Sequence, residues 1–287
     1  MDNSLPPQYV PIGHFYSPVP SPEDIARAIA RSIPAESSGI DLGTDRQLSL
    51  LNRLATFYSE IPFPAEKTDQ FRYAFHNPSY SWTDAIILYC MIRELRPRRI
   101  IEVGSGHTSA LILDVNELHF DGKIECTFVE PYPELLLSLL RADEKERVQL
   151  IAHKLQDVDL AFFTTLEASD ILFIDSSHVV KAGSDCRLLF AELLPRLQNG
   201  VLVHFHDVFD RFEYPANWLQ EGRGWNEQYI LNAFLQFNSA FRIKLFTPHM
   251  IATNPDWFRE NMPNCFRNTG GHIWIERLDS PPATGAS

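Results

Sequence analysis

The chain has 287 residues, of which 45% are hydrophobic and 22% charged, as in an ordinary soluble globular protein. This length allows one large domain or two small ones, with enough chain to bury a core without disulfides or metals. The formal net charge of -12 makes nucleic acids and anionic membrane surfaces poor partners.

The amino terminus and the cysteines argue against a secreted or membrane-spanning protein. The opening MDNSLPPQYVPIGHF has no basic segment followed by an apolar stretch, so it is unlike a signal peptide. The longest apolar run, DAIILYCMI, is too short to span a bilayer. Cys90, Cys126, Cys186 and Cys265 form no C-x-x-C pair, which predicts reduced thiols. We therefore expect a cytoplasmic protein.

The first 80 residues predict an arm followed by a helical cap. Residues 1–20 are rich in proline and lack periodicity, which is typical of an extended arm. Ser21-Pro22-Glu23-Asp24 predicts a helix start, and a second helix fits 45–61. Because no flexible linker follows, we expect residues 21–80 to pack onto the rest of the chain.

From residue 82 onward, the pattern predicts one α/β domain over 81–278, with a flexible tail at 279–287. A helix fits 82–96, and then short apolar runs alternate with helical patterns. The predicted strands are 98–105, 123–130, 147–152, 170–175, 200–207, 241–248 and 271–278. The alternation predicts a doubly wound, mostly parallel seven-stranded sheet, with the last two strands as an antiparallel pair at one edge.

The first predicted strand ends in a glycine loop, Glu102-Val103-Gly104-Ser105-Gly106. Ligands of open α/β sheets bind beyond such strand ends. The glycines let the backbone turn and approach a ligand, and the following helix offers free N–H groups. The third glycine of a dinucleotide fingerprint is missing, because Ser109 stands there. Glu102 suits a ligand with an ammonium group better than a pyrophosphate, although a plain tight turn is an alternative.

Acidic residues follow the next two strands. Glu130 ends the second strand, where a carboxylate can bind both hydroxyls of a ribose. Asp157 follows the third strand and can meet an adenine amino group. Both acids favour a cofactor that contains a nucleoside, although solvated loop acids would give the same pattern.

The ends of the fourth and fifth strands suggest a metal site. Asp175 and Asp207 end strands that are predicted neighbours, so they lie about 5 Å apart. Two carboxylates at that separation repel each other unless a cation or proton compensates. A divalent ion held there with His206 would lower the pKa of a substrate hydroxyl. His178, one helical turn beyond Asp175, is a candidate general base because the imidazole pKa is near 6.5.

Three blocks of the sequence resemble a known family: IIEVGSGHTS, DILFIDSSHVVKAGSD and GVLVHFHDVFDRFEYP. Over roughly residues 80–278 the chain resembles the class I S-adenosylmethionine (SAM) methyltransferases. The blocks look similar to a bacterial small-molecule branch, the macrolide-sugar O-methyltransferases of the mycinamicin type. The resemblance implies the Rossmann-like methyltransferase sheet and SAM as cofactor. The residues assigned to the SAM site are Glu102, Gly104, Ser105, Gly106, Glu130, Asp157 and Asp175.

In that branch, an Asp-x-x-His motif and an acid-Asp pair hold a divalent metal, and the histidine acts as base. The resemblance therefore implies metal binding by Asp175, His206 and Asp207, with His178 as the catalytic base. His206 stands where the relatives carry an acid. Imidazole is a poor ligand for Mg²⁺ but suits Mn²⁺ or Fe²⁺, so the three ions stay open, as does the presence of any metal.

Aromatic residues after the fifth strand predict the acceptor site. Tyr214 and Trp225, together with Glu227, suit a saccharide or another polyhydroxylated ligand. Tyr80 is expected to close the other side. An aromatic packing interface is the alternative.

The leading hypothesis is a SAM-dependent O-methyltransferase that acts on a hydroxyl of a small molecule, a saccharide or glycosylated product. Three alternatives stay open: metal-independent transfer by the same fold, an NAD-type oxidoreductase, and a catalytically silent scaffold. No nucleic acid or membrane partner is expected, and the sequence leaves a homo-oligomer open.

Overall fold

The computed structural model describes residues 8–34, 38–145 and 148–279. The first seven residues of the predicted arm and nearly all of the predicted tail lie outside the described residues. None of the helices in the described ranges is long and apolar enough to cross a membrane.

Within the described ranges, seven strands form one sheet in the order β3-β2-β1-β4-β5-β7-β6. The strands are β1 Arg99–Val103, β2 Glu125–Val129, β3 Gln149–Ile151, β4 Ile171–Ile174, β5 Leu202–His206, β6 Phe241–Phe246 and β7 His272–Arg277. The first five are parallel, and β7 runs antiparallel to both of its neighbours. This confirms the predicted doubly wound, mostly parallel sheet and its antiparallel edge.

Helices cover both faces of this sheet. They are α1 Pro22–Ala30, α2 Thr44–Tyr58, α3 Trp82–Leu95, α4 His107–Phe120, α5 Glu134–Leu139, α6 Asp185–Leu188, α7 Ala216–Gln220, α8 Glu227–Leu235, α9 Thr247–Thr253 and α10 Pro255–Asn261. All four residues of β4 are fully buried, as expected for a central strand that is covered on both sides. Successive strand residues point to opposite faces of the sheet and pack in two hydrophobic cores. Ile100 and Phe173 belong to the core on the α2–α4 face, and Ile101 and Leu172 belong to the core on the opposite face.

Two local elements differ from the sequence prediction, and proline explains both. The strand predicted at 241–248 ends at Phe246, because Pro248 cannot donate to a strand ladder and lies in the first turn of α9. The apolar periodicity of residues 184–197 predicts a single helix, but the segment forms α6, a π-helical turn at Leu189–Leu193 and a 3-10 turn at Leu194–Arg196. Pro195 supplies no N–H to continue an α-helix there.

A buried arginine joins the segment between α2 and α3 to the sheet domain. Arg72 is only 5% exposed and binds Asp114 of α4 at 2.5 Å, with Glu117 at 2.9 Å and Glu144 as further partners. Asp114 also accepts the backbone N–H of Tyr73 at 2.9 Å. This network fixes how residues 60–80 lie beside the loops described below.

We predict that Arg72→Met lowers the free energy of unfolding by about 3–5 kcal/mol, because it leaves the carboxylate of Asp114 buried without its charge partner. Arg98→Met is the matched control. Its pair with Glu167 is more than half exposed on both sides, so the change should cost about 1 kcal/mol or less. Urea unfolding measures both values. Equal losses in the two variants would show that the Arg72 network contributes nothing special.

Candidate active site

The loops that follow β1 and β4 are in direct contact. Asp175 donates its N–H to the carbonyl of Val103 at 2.8 Å, which extends the strand pairing by one residue. Gly104 follows with a φ of +82°, and a Cβ built there would lie 1.8 Å from the carbonyl oxygen of Asp175. Only glycine allows this approach, so Gly104 sets the distance between the two loops.

Glu102 stabilises the glycine loop through hydrogen bonds to the start of α4. Its carboxyl group is fully buried and accepts hydrogen bonds from the hydroxyls of Thr108 and Ser109 in the first turn of α4. Ser109 also accepts the N–H of Gly106 at 3.0 Å. Burial raises the pKa of Glu102 to about 8, despite the opposing effect of these two hydrogen bonds. Glu102 therefore supports the loop and does not face open space.

A first cavity of about 440 Å³ lies beside this loop. Gly104, Glu130 and Asp175 contribute to its wall. Glu130 accepts the backbone N–H groups of Ser105 at 3.1 Å and of Tyr132 at 2.7 Å. The buried hydroxyl oxygen of Ser105 has no hydrogen-bond partner among the described residues. The glycine loop thus contains one hydroxyl oxygen, that of Ser105, whose hydrogen-bonding capacity is not satisfied within the described residues.

Of the seven residues predicted for the SAM site, Gly104, Glu130 and Asp175 line the first cavity, while Glu102, Ser105, Gly106 and Asp157 do not. Sequence reasoning also missed several residues that line it, among them Tyr132 and Gln156. Tyr132 is 69% exposed. An aromatic residue two positions after Glu130 was the available signal for Tyr132. Asp157 is exposed beyond the wall that Leu155 and Gln156 form.

A second cavity of about 350 Å³ lies on the other side of Asp175. Asp175 belongs to the walls of both cavities. The remaining lining residues are Pro78, Ser79, Ser81, Asp84, His178, His206, Asp207, Phe209, Trp218, Arg223, Trp225, Asn268, Gly270 and Gly271. The wall of the second cavity therefore combines acids and histidines with aromatic rings.

Asp175, His178 and Asp207 form a group that can hold a metal ion. Among the described residues, this is the one such set of histidine, cysteine and acidic side chains, and its ligand atoms all lie within 4.8 Å of one another. Nε2 of His178 lies 3.3 Å from Oδ1 of Asp175 and 3.3 Å from Oδ2 of Asp207. Nδ1 of His206 lies 3.3 Å from Asp175 and 3.7 Å from Asp207. His178, predicted as a base, is thus at least as close to both carboxylates as His206.

Glu227 orients the ring of His178. It is 1% exposed, and its Oε2 lies 2.9 Å from Nδ1 of His178. Its other oxygen accepts a hydrogen bond from the Ser176 hydroxyl at 3.0 Å. A carboxylate on one ring nitrogen leaves the other free to bind a metal or accept a proton. Glu227 at the start of α8 is therefore a positioning residue behind His178.

The backbone around this group adopts uncommon conformations. His178 has a φ of +57° and Asp207 a φ of +56°, in the left-handed region that non-glycine residues rarely adopt. The carbonyl of His178 accepts the N–H groups of Asn226 and Glu227, which holds the loop in place. The segment after β4 is a loop until α6, so His178 does not lie one helical turn beyond Asp175 as expected. The left-handed turn at His178 instead brings its ring back beside the carboxylate of Asp175.

The charged groups of the cluster strongly affect one another. Burial would raise the pKa of Asp175, but His206 and His178 hold it below its usual range. Burial would lower the pKa of His178, but hydrogen bonds with Asp175 and Glu227 hold it well above its usual value. Asp207 and Asp175 raise the pKa of His206 to about 10 against burial. Burial raises the pKa of Asp207 despite both histidines.

Of the four residues predicted to contact an acceptor, Trp225 lines the second cavity. Tyr80 is 1% exposed, packs against His206 with ring centroids 5.0 Å apart, and lies behind the wall. Tyr214 is 4% exposed, and its ring packs against that of Trp225 with centroids 6.4 Å apart. With Glu227 behind His178, three of the four shape the site from inside the protein.

Comparisons with known proteins decide the family. Residues 101–208 match the family model described as a methyltransferase domain. An uncharacterised protein of Archaeoglobus fulgidus is 34% identical over 169 residues, which are 56% of this chain and 75% of that protein. Residues 101–208 therefore belong to the methyltransferase-domain family. This confirms the resemblance to methyltransferases on which the sequence prediction rested.

Two solved structures are similar to this methyltransferase at low identity. One is the S-adenosylhomocysteine-bound methyltransferase PaMTH1 of Podospora anserina, with 18% identity, 91% of this chain, 98% of that chain and a TM-score of 0.44. The other is the O-methyltransferase TomG of Streptomyces achromogenes, with 14% identity, 80% of this chain, 90% of that chain and a TM-score of 0.42.

We predict that Glu102→Gln flattens the dependence of stability on pH. The folded-state pKa near 8 lies above the unfolded value of 4.5, so the folded protein holds a proton that the unfolded chain releases. Stability contributed by that proton is present at low pH and is lost between those values, at up to about 1.4 kcal/mol per pH unit.

Urea unfolding at pH 5, 6.5 and 8 measures the difference between the two proteins. Glu134→Gln, which changes an acid in the first turn of α5, should leave the pH profile of the parent unchanged. Parallel profiles for Glu102→Gln and the parent would contradict the predicted pKa of Glu102.

Proposed function

We propose that this chain transfers a methyl group from SAM to a hydroxyl of a small molecule with the help of a divalent metal. One observation carries the proposal: two cavities of about 440 and 350 Å³ share Asp175 in their walls. A donor on the glycine-loop side and an acceptor on the acid–histidine side would meet at this residue. Direct transfer between two bound molecules needs this kind of alignment, and positioning supplies much of its acceleration.

The residues of the first cavity fit a SAM-like donor. Glu130 presents a carboxylate that can accept hydrogen bonds from ribose hydroxyls, and the N–H groups of Ser105 and Tyr132 fix its orientation. The exposed ring of Tyr132 offers a flat apolar surface next to Glu130. When bound, SAM supplies the methyl group.

The donor set of the second cavity fits a divalent ion. Asp175 and Asp207 offer oxygen atoms, and His178 offers Nε2 because Glu227 engages its Nδ1. The sequence prediction had His206 as third ligand and His178 as base. The equal distances from Nε2 of His178 to both carboxylates favour His178 as the ligand. When bound, the ion lowers the pKa of an acceptor hydroxyl and orients it.

The remaining wall residues would orient the acceptor. Trp218 and Trp225 offer apolar faces for a ring, and Ser79 and Ser81 lie on the α3 side of the cavity. These faces support a saccharide or a glycosylated product as acceptor, as the sequence predicted. We also propose that residues 21–80 act as the cap of the methyltransferase domain, since Ser79 of that segment lines the second cavity. A cytoplasmic location is part of the proposal and is supported by the four free thiols.

The proposed function is tested by isothermal titration and by turnover. The chain should bind S-adenosylhomocysteine in the absence of metal, and it should bind Mn²⁺ more tightly than Mg²⁺ because of its imidazole ligand. Turnover of SAM on a panel of hydroxylated acceptors should stop in excess chelator and return with Mn²⁺. Binding of NAD without binding of S-adenosylhomocysteine would overturn the proposal in favour of an oxidoreductase.

We predict that Glu130→Gln weakens binding of S-adenosylhomocysteine by about 10- to 150-fold. The change removes a charge-assisted hydrogen bond worth about 1.5–3 kcal/mol. Isothermal titration of the parent, Glu130→Gln and the exposed control Glu134→Gln measures the effect. An unchanged affinity in Glu130→Gln would make Glu130 a structural residue of its loop.

We predict that His178→Ala and Asp207→Asn both weaken Mn²⁺ binding, because the first removes one of three ligands and the second removes the negative charge of another. Binding of S-adenosylhomocysteine should stay within about threefold of the parent, since Glu130 and the glycine loop are untouched. Metal content after dialysis and titration with Mn²⁺ give the readout. If His178→Ala kept its metal and lost about 10²–10⁴-fold in rate, His178 would be the base and not a ligand.

A further inference from the structure

The second cavity contains one feature that the proposed function does not use, the guanidinium group of Arg223. Among the described residues that line this cavity, Arg223 is the one lysine or arginine. The same cavity wall carries the carboxyl groups of Asp84, Asp175 and Asp207. The wall therefore combines three acids and one cation with aromatic rings.

The position of Arg223 is held by two indole rings and one acid. Its guanidinium carbon lies 4.0 Å from the ring centroid of Trp218 and 5.2 Å from that of Trp225. Its Nε donates to Glu221 at 2.8 Å, and its backbone N–H donates to the carbonyl of Trp218 at 3.2 Å. A stacked guanidinium of this kind keeps a fixed plane at little further entropic cost. Glu221 engages Nε, and no residue in the described part of the chain engages the two terminal nitrogens, which keep their N–H groups for another partner.

Trp225 connects this cation to the metal-binding cluster. One side of its ring packs on His178, with centroids 4.5 Å apart, and Arg223 lies on the ring as well. An acceptor that lies along Trp225 would thus have one end at Asp175 and Asp207 and the other at Arg223. A neutral sugar would use the aromatic faces but has no need of a fixed guanidinium.

We infer that Arg223 is the anion-binding residue of the acceptor site, and that the acceptor is a hydroxylated ring compound that also carries a carboxylate. The terminal N–H groups of an arginine match the two oxygens of a carboxylate in geometry. The hydroxyl end of such a compound would lie at the acid–histidine cluster and its carboxylate at Arg223. This inference rests on the proposed function and narrows its acceptor class. An aromatic hydroxy acid and a sugar acid share this chemistry.

The test uses two matched pairs of compounds that differ in the carboxylate. They are 3,4-dihydroxybenzoate against catechol, and D-glucuronate against D-glucose. Each compound is titrated into the full chain loaded with S-adenosylhomocysteine and Mn²⁺, and the two loading steps are measured first. In at least one pair, the carboxylate member should bind about tenfold more tightly, and the pair that shows the preference identifies the ring type.

Arg223→Gln should abolish this preference by weakening the carboxylate member alone, while binding of the neutral member, S-adenosylhomocysteine and Mn²⁺ stays unchanged. Arg223→Lys keeps the charge without the stacked plane and should keep part of the preference. Arg242→Gln is the matched control, because Arg242 is similarly exposed, is also paired with a glutamate and lies on the edge strand β6. It should behave as the parent.

Equal affinity within both pairs, no binding of any of the four compounds, or a preference that persists in Arg223→Gln would overturn the inference. In those cases Arg223 would only pack on Trp218 and pair with Glu221. Failure of the proposed function has a different signature, since the loading steps with S-adenosylhomocysteine or Mn²⁺ would then fail before any acceptor is added.

Discussion

The backbone of Gly104 lies against the carbonyl of Asp175, and the rest of the site depends on this contact. A side chain at position 104 would collide with that carbonyl, so the ends of β1 and β4 can approach only because glycine stands there. The approach lets Asp175 form part of both cavity walls. A donor and an acceptor could not share one residue if the two loops were held further apart. The strand order alone does not ensure this, because neighbouring strands can end in loops that diverge.

The acid–histidine cluster is held together by groups that never reach a cavity. Glu227 binds the ring of His178 from behind, and the N–H groups at the start of α8 bind its carbonyl. Tyr80 packs under His206, and Tyr214 supports Trp225. These supports allow His178 and Asp207 to keep left-handed backbone conformations that cost free energy in an isolated loop. Precision at the cluster therefore depends on packing outside it.

Much of the fold could be predicted from sequence because its strands are short apolar runs that alternate with helices. The same alternation located the site, since the polar residues after such runs gather at one edge of a parallel sheet. The orientation of each side chain could not be predicted in this way. Tyr80, Tyr214 and Glu227 have the composition of an acceptor site, but their burial depends on contacts with residues far away in the sequence. His178 was placed on a helix because the loop after β4 has no sequence signal for its left-handed turn.

The carboxylates and histidines of the cluster shift one another's pKa values. Two carboxylates face two histidines at 3.3–3.7 Å, and the histidine pKa values are raised because the acids stabilise the imidazolium forms. With the Glu227 carboxylate on Nδ1 of His178, three carboxylates surround the two rings. On the proposed function, a divalent ion would bring two positive charges, and His178 would have to give up the proton on Nε2. An acid in place of His206 would add a negative charge beside Asp175 and Asp207. Histidine at position 206 therefore limits the negative charge of the cluster.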